Sequence, residues 1–527
     1  VKTFVKVSAA AFKATTSVLG LSLMLWAQPG VARTEDAPKA RPNIVLVILD
    51  DVGVDAVSDM YPGMIDRLVE QYGPSGLDHP NYRAIKGRPA STPVLDRLAG
   101  EGRTFTNAWA QPFCSPTRAS MLTGLYAHNT GLRDYEDWLS QKQHSFVEDL
   151  QAAGYTSAVF GKWHMAGLNQ YPGMKPKEAG FALFEGNLNG AITDYWHHDY
   201  QVQDSASPDS EWRTEPAPVR SLPGIAPTSF EPVVRAADTL NWIKRNQAEA
   251  PDKPWFAWLA FNMVHITAGP QPSFVPNADT LDAKSRAEIE VCGGKFGTTE
   301  LGNCSPPALN RSWVNSTDTV LGIFLKELKK LSPDTYVIIL GDNGTPMYGR
   351  PAVDFIDNMY LTAKGRAKGT GYESGMRVPL VMLGPDIKPG YSDALTHVVD
   401  IYSTVLDLAH VATPQQVPNR AGNMIPLDSV SLAPVLFDGR DNVRDEEKDF
   451  IISETVIPLK NRERQVAIRN KRYKLLYIRS ETGNPSCAYY DLAKDPLEEF
   501  PISKAEVGSL FVGSMKGLNI SCEGGSS

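Results

Sequence analysis

The stretch Cys114-Ser115-Pro116-Thr117-Arg118, running on to Met121-Leu122-Thr123-Gly124, holds the residue types best suited to chemistry in this chain. Ser115 is a good N-cap, and Pro116 suits the first helical position because its missing N–H has no intrahelical partner there. Gly124 supplies a left-handed stop. The spacing predicts a short helix with Cys114 just outside its N-terminus. Orphan backbone N–H groups and the positive end of the helix dipole then point at the cysteine. Arg118, four residues on, returns to the same face and adds a fixed cation. A thiol, a guanidinium and a helix N-terminus converging on one point favour an anionic reactant.

Four apolar runs each end in further candidate chemistry. Asn43 to Leu49 is a nearly continuous β-branched and leucine run, the mark of a strand buried on both faces of a parallel sheet. It ends in Asp50-Asp51-Val52-Gly53. Neighbouring strand residues face opposite ways, so both carboxylates share a site only where strand gives way to loop, a turn that Gly53 permits. Tyr155 to Phe160 leads to Gly161-Lys162-Trp163-His164, and Trp255 to Phe261 leads to Asn262-Met263-Val264-His265. Tyr336 to Gly341 ends in Asp342-Asn343-Gly344. In open α/β sheets, ligands bind outside the carboxyl ends of the strands. The oxygen ligands Asp50, Asp51, Asp342 and Asn343 specify a hard cation, Ca²⁺ or Mg²⁺, over zinc, and neither histidine is needed to hold it.

These strands must be positioned by a large scaffold, and 527 residues supply one. Hydrophobic residues at 42% and charged residues at 21% describe an ordinary globular protein. The net charge of −8 argues against a nucleic-acid partner and against a general affinity for polyanions, so any attraction for an anionic substrate is local. The expected fold class is α/β, a large mixed, mostly parallel central sheet flanked by helices; the small C-terminal antiparallel α+β subdomain expected after it rests on the family resemblance given below. Residues 41–436 are expected to form the domain that bears these strand ends, a charged linker follows, and short strands mark 450–527 as a second unit. Helices are expected over 145–153, 232–247, 314–331 (which carries Asp318) and 400–411. Lys368 lies in a loop that ends in Glu373-Ser374-Gly375. Residues 58–92 read as an irregular insertion, 165–230 as loops over the active face, and 269–313 as an excursion without legible periodicity.

Lys2, Lys6 and Lys13 precede an apolar run, Val18 to Trp26, that is too short to anchor in a bilayer. Gly30-Val31-Ala32 offers a cleavage site, so residues 1–32 read as a secretory signal peptide and the mature protein as periplasmic or secreted, with no stable membrane anchor. With Cys114 set aside for chemistry, Cys292, Cys304, Cys487 and Cys522 are an even number in an oxidising compartment. Proximity favours Cys292–Cys304 and Cys487–Cys522. Sequons begin at Asn303, Asn310, Asn315 and Asn519.

A phosphatase loop of the tyrosine type is excluded, because Phe113 precedes the cysteine and three residues separate it from Arg118. The order Cys114-x-Pro116-Thr117-Arg118 with Met121-Leu122-Thr123-Gly124 resembles the signature of the type I, arylsulfatase-like sulfatases of the alkaline-phosphatase superfamily. Gly161-Lys162-Trp163-His164 matches the corresponding element of that family residue for residue. Val264 stands where the family commonly has Pro, and Ser374 where it usually has Gly. The resemblance implies oxidation of Cys114 to Cα-formylglycine by a formylglycine-generating enzyme. It implies Ca²⁺ in preference to Mg²⁺, held by Asp50, Asp51, Asp342, Asn343 and residue 114. It also implies catalytic roles for Arg118, Lys162, His164, His265 and Lys368.

In those roles one hydroxyl of the hydrated aldehyde attacks sulfur, helped by Asp342. His265 and Lys368 bind the sulfate and protonate the leaving oxygen. His164, with Lys162 and Arg118, holds the second hydroxyl, whose deprotonation expels sulfate. The implied function is hydrolysis of a small-molecule or glycan sulfate monoester, aryl or carbohydrate. Two other readings use the same residues: a phosphonate or phosphate monoester hydrolase, and an inactive sulfated-glycan-binding protein. The aromatics of the three long excursions suit a phenol or a sugar face equally.

Overall fold

The strand Ile44–Leu49 is buried along its whole length, as its run of branched side chains requires. Val45, Val47 and Leu49 enter one hydrophobic core, while Ile44, Leu46 and Ile48 enter another. Successive side chains leave a strand on opposite faces, so one short segment builds two cores at once.

The computed structural model describes residues 41–57, 60–62, 90–168, 170–269, 273–346, 367–458, 461–496 and 498–522. The signal peptide expected over 1–32 and most of the insertion expected over 58–92 lie outside them. Arg41–Ser527 forms one compact unit. No helix among the described residues is long and apolar enough to cross a membrane.

The main sheet comprises β1 (Ile44–Leu49), β2 (Arg103–Phe105), β3 (Thr156–Lys162), β4 (Leu183–Asn187), β5 (Asp199–Gln203), β6 (Arg213–Pro216), β7 (Trp255–Ala260), β8 (Tyr336–Gly341), β9 (Leu380–Leu383) and β10 (Gly390–Ser392). Across the sheet the order is β10-β2-β9-β8-β1-β7-β3-β4-β5-β6. The central strands β8, β1, β7, β3 and β4 are mutually parallel. Antiparallel pairings join β9 to β8 and to β2 on one side, and β5 to β4 and to β6 on the other. Helices Glu231–Glu249 and Pro306–Leu331 cover one face, and helices Cys114–Thr123, Phe146–Ala152 and Ile401–Leu408 cover the other.

Two stretches differ from expectation. Residues 165–230 are not only loops, because β4, β5 and β6 extend the sheet there. These strands are short, and β6 is exposed throughout, so they lack the apolar run that betrays a central strand. The excursion at 269–313 contains helix Ala283–Cys292, and the long helix begins at Pro306 rather than near residue 314. Asp282 and Ser305 cap these helices, accepting from the backbone N–H of Ser285 and Ala308. Cys292 pairs with Cys304 and Cys487 with Cys522, leaving Cys114 free and buried.

The C-terminal sheet is antiparallel, with strands Ile451–Ile457, Glu463–Arg469, Tyr473–Arg479 and Ser486–Asp491 in sequential order. One face takes Val507 and Phe511 of helix Lys504–Gly517. The other face packs Ile451, Ala467, Leu476 and Tyr490 against Trp109, Met376 and Leu395 of the main body.

Helix Pro93–Glu101 starts without a side-chain cap from Thr92. Asp318 of the long helix accepts from the N–H of Val94 at 3.0 Å and of Leu95 at 2.9 Å instead. Burial raises the Asp318 carboxyl to about 7, above the roughly 3.9 of an unfolded aspartate. Between those values the folded state binds the extra proton, so the Asp318 contribution to stability is whole below about pH 4 and is lost as pH rises through about 7. Asp318→Asn should flatten that loss. Urea unfolding of both proteins at pH 4.5 and 7.5 should show a smaller drop in the variant, and equal drops would exclude the assignment.

Candidate active site

Register brings the four chemistry-bearing strand ends together. Leu49 pairs with Gly341, Ile48 with Ala260, and Ala260 with Gly161. Asp50, Asp342, Asn262 and Lys162 therefore emerge side by side at one edge of the sheet. The turn after β1 is made by Asp51 itself, with φ 61°, and not by Gly53. Aspartate tolerates the left-handed region better than most residues. Gly53 is required for space, since a Cβ there would lie 2.7 Å from Asp55 Oδ1 and 2.8 Å from the Thr345 nitrogen. His164 is also left-handed, with φ 56°.

Cys114 is the first residue of its helix, with Phe113 in the cap position and Gly124 closing it at φ 69°. The expected cap, Ser115, instead lies within the first turn, where its hydroxyl donates to the Asp134 carbonyl at 3.3 Å. Arg118 still returns to the same face. Its Nε and one terminal nitrogen donate to Asp342 Oδ2 at 3.2 and 2.8 Å, and the other terminal nitrogen donates to the Lys162 carbonyl at 2.6 Å. Lys162 Nζ donates to Asp50 Oδ2 at 2.5 Å, and Lys368 Nζ donates to Asp51 Oδ1. Asn343 Nδ2 donates to the same Asp51 oxygen at 2.8 Å. Three buried carboxylates thus meet three buried cations one to one.

The histidines have readable tautomers. His164 Nε2 faces the Tyr135 carbonyl at 3.2 Å, and His265 Nδ1 faces the Ile266 carbonyl at 2.7 Å. A carbonyl only accepts, so each of these nitrogens carries the hydrogen. His164 Nδ1 is left as an acceptor, 3.1 Å from Cys114 Sγ. Burial, then Lys162 and Arg118, holds His164 well below its ordinary value. Burial, then Lys368, lowers His265. Burial raises the Cys114 thiol despite Lys162 and Lys368, and a protonated thiol is a poor nucleophile. Asp50 is pushed well up by burial and by Asp342. In Asp51, burial is outweighed by Lys368, His265, Lys162 and the Asn343 hydrogen bond together, which hold the carboxyl at about 2.

The residues present fit a divalent cation. Asp50 Oδ1, Asp51 Oδ2 and Asn343 Oδ1 are buried and have no hydrogen-bond partner among the described residues. Oxygens in that state ordinarily have an unseen partner such as an ion. Ligand atoms of Asp50, Cys114 and Asp342 lie within 4.8 Å of one another. The donors are oxygens apart from residue 114, as a hard cation demands.

Sequence reasoning passed over several supports. The Tyr195 hydroxyl lies 2.8 Å from the Asn262 carbonyl and 2.6 Å from that of His265, holding the chain on either side of the turn. Its signal was an aromatic cluster in a stretch of weak periodicity. Glu373 anchors the Lys368 loop to the C-terminal sheet through Arg469 at 3.3 Å and Lys474 at 3.4 Å, with Trp109 Nε1 donating at 3.2 Å. Gln465 Oε1 accepts from the Gly371 N–H at 2.8 Å. No local pattern announces such distant partners.

Gly190 packs flat against the His164 ring, where a Cβ would fall 2.3 Å from Cε1 and 2.4 Å from Nε2. Gly190→Ala should push the ring off both Cys114 and the Tyr135 carbonyl. A crystal structure of the variant should show the Cys114–His164 contact broken. Unfolding should cost about 1–3 kcal/mol, as overpacking does. An unmoved ring would refute the steric assignment.

Comparisons with known proteins bear on the family and the fold. A family model described as Sulfatase matches residues 42–411. N-acetylgalactosamine-6-sulfatase of Canis lupus familiaris is 26% identical over 421 residues, which cover 76% of this chain and 66% of that protein. This chain therefore spans just under two thirds of that relative's length. A sulfatase of Formosa agariphila is 25% identical over 541 residues, covering 88% of this chain and 85% of that protein. Among solved structures, BT4656 in complex with its substrate D-glucosamine-2-N,6-O-disulfate has a TM-score of 0.60 at 20% identity, covering 91% of this chain and 97% of that one. PsFucS1 sulfatase from Pseudoalteromonas sp. has a TM-score of 0.60 at 19% identity, covering 91% and 89%. At these identities the solved structures carry the fold, while the family model spans most of the chain and contains nearly every residue of the cluster around Cys114. The chain belongs to the sulfatase family.

Proposed function

We propose that this protein hydrolyses sulfate monoesters to an alcohol and inorganic sulfate. The observation that carries the reading is the ring of Lys162, Lys368 and Arg118 around the carboxylates beside Cys114. Fixed cations in a water-poor site neutralise charge where it develops in the transition state. The three cations and three carboxylates pair one to one, so an anionic ester needs positive charge beyond theirs. Asp50, Asp51, Asp342, Asn343 and residue 114 would hold it as a divalent cation. Five protein ligands suit Ca²⁺ better than Mg²⁺, which keeps several waters. When bound, the ion polarises an ester oxygen and acidifies a hydroxyl at position 114.

The remaining work falls to the side chains. Arg118 is immobilised by Asp342 and the Lys162 carbonyl, so it presents a fixed charge next to position 114. His164 Nδ1 accepts a proton from the side chain of residue 114. His265 keeps its Nδ1 hydrogen on the Ile266 carbonyl and turns Nε2 to the substrate, where, with Lys368, it serves the leaving oxygen. The reading includes maturation of Cys114 to formylglycine by a formylglycine-generating enzyme, and export to the periplasm or medium after removal of residues 1–32. Residues 41–436 carry the reaction and 450–527 form the small subdomain.

Matched 4-nitrophenyl sulfate and phosphate esters, with peptide mass spectrometry across position 114, test it. The sulfate ester should turn over faster, in protein carrying an aldehyde at 114. An intact thiol with undiminished turnover overturns the mechanism, and faster phosphate turnover makes the protein a phosphate monoester hydrolase. Chelation should abolish turnover and lower Tm. Ca²⁺ at about 100 times its Kd should return about 2.7 kcal/mol of stability.

A further inference from the structure

Phe113 and Ile457 form a small buried apolar pair against which Tyr135 and Ile266 pack, and Ile266 also touches the large core that contains Val45 and Val47. They come from four different segments, and three of them touch the site directly. Phe113 precedes Cys114. Ile266 follows His265 and accepts its Nδ1 hydrogen bond through its carbonyl. The Tyr135 carbonyl holds the far nitrogen of His164. Ile457 comes from the C-terminal sheet, and its neighbour Val456 is fastened to this loop by an N–H to the Arg133 carbonyl at 3.1 Å.

The cluster has a buried half and an open half. Phe113 and Ile457 are each 1% exposed, whereas Tyr135 and Ile266 keep part of their surface in water. The Tyr135 ring meets Phe113 edge-on, with centroids 5.3 Å apart and planes at 75°, so its position is braced from behind. Asp50, Asp51, Cys114, Arg118, Lys162, His164, Asp342, Asn343 and Lys368 are all buried, and His265 alone of the cluster retains exposure. Among the described residues the site is therefore exposed at His265, and Ile266, next in the chain, and Tyr135, packed with it against Phe113 and Ile457, are partly exposed there too. The Tyr135 carbonyl meets His164, whose other ring nitrogen lies 3.1 Å from Cys114 Sγ, and this places the lip beside the buried cluster.

We infer that Tyr135 and Ile266 form a lip that selects the leaving group, and that the group it selects is a ring with an apolar face, an aryl ring above an open-chain alcohol. The inference rests on the sulfatase reading above and deepens it. With the sulfate held among the buried cations and the ester oxygen at His265, the next atoms of the substrate must lie on this lip. An aromatic face and a branched aliphatic side chain offer dispersion and π contact to a ring and little to a flexible polar chain. Phe113 and Ile457 act as positioning residues that hold the lip from behind.

The test compares Tyr135→Ala and Tyr135→Phe with the parent enzyme on 4-nitrophenyl sulfate and on ethyl sulfate, with inorganic sulfate as inhibitor. Tyr135→Ala should raise KM for the aryl ester about tenfold while leaving the inhibition constant of sulfate within about twofold, and Tyr135→Phe should restore the parent KM. An unchanged KM overturns the lip. So does an equal weakening of aryl ester and inorganic sulfate, because that reports a general disturbance of the site. Absence of turnover of any sulfate ester by aldehyde-bearing protein defeats the sulfatase reading instead. In that case calorimetry still reads the lip: the parent should bind benzenesulfonate about tenfold more tightly than methanesulfonate and Tyr135→Ala should not, and a parent without that preference overturns it.

Discussion

Charge buried at the ends of parallel strands is the constraint on which the rest of this structure depends. Asp50, Asp51 and Asp342 are withdrawn from water at the carboxyl edge of the central sheet, each in contact with one of Lys162, Lys368 and Arg118. A buried ion is tolerable only with a partner and with its remaining hydrogen-bonding capacity met. Each pair joins elements far apart in the chain, so the arrangement survives only while β8, β1, β7 and β3 keep their register. Slippage by one residue would turn these side chains to the opposite face. The cluster therefore reports on the correctness of the whole sheet.

The same logic explains why the C-terminal sheet is part of the working unit. The loop bearing Lys368 has little regular structure of its own, and a lysine on such a loop would be a poorly fixed charge. Glu373 ties the loop to Arg469 and Lys474, while Lys474 also meets Glu498 at 2.5 Å. Both cations approach the ring of Trp109, at 5.4 and 4.9 Å from its centroid. Preorganised charge is worth more in a site than mobile charge, because it does not reorganise during the reaction. A second sheet thereby positions a lysine of the first. It also supplies Ile457 to the apolar edge of the same site.

Much of the fold was legible because its central strands are buried on both faces and so read as continuous apolar runs. β1, β7 and β8 fall where such runs lie, and the helix containing Cys114 ends at Gly124 as its left-handed conformation requires. The edge strands β4, β5 and β6 were not legible, since a half-exposed short strand carries a mixed pattern that matches loop as well as sheet. Helix starts were the less legible ends. Phe113, not Ser115, occupies the cap position of the Cys114 helix, and at helix Pro93–Glu101 Asp318 rather than Thr92 accepts from the first N–H groups. A cap supplied across more than two hundred residues has no local signature.

By itself the sequence determined which residue types stand at the ends of which apolar runs, and hence that acids, bases and cations would gather at one sheet edge. It did so because strand burial and parallel topology are written locally, in composition and periodicity. Only the tertiary structure decided who pairs with whom: Lys162 with Asp50, Lys368 with Asp51, Arg118 with Asp342, and His164 with residue 114. It also decided that Asp51 rather than Gly53 makes the turn, and that Gly190 leaves room for the His164 ring. Those choices follow from distances of a few ångströms between segments remote in the chain, and no spacing along one strand encodes them.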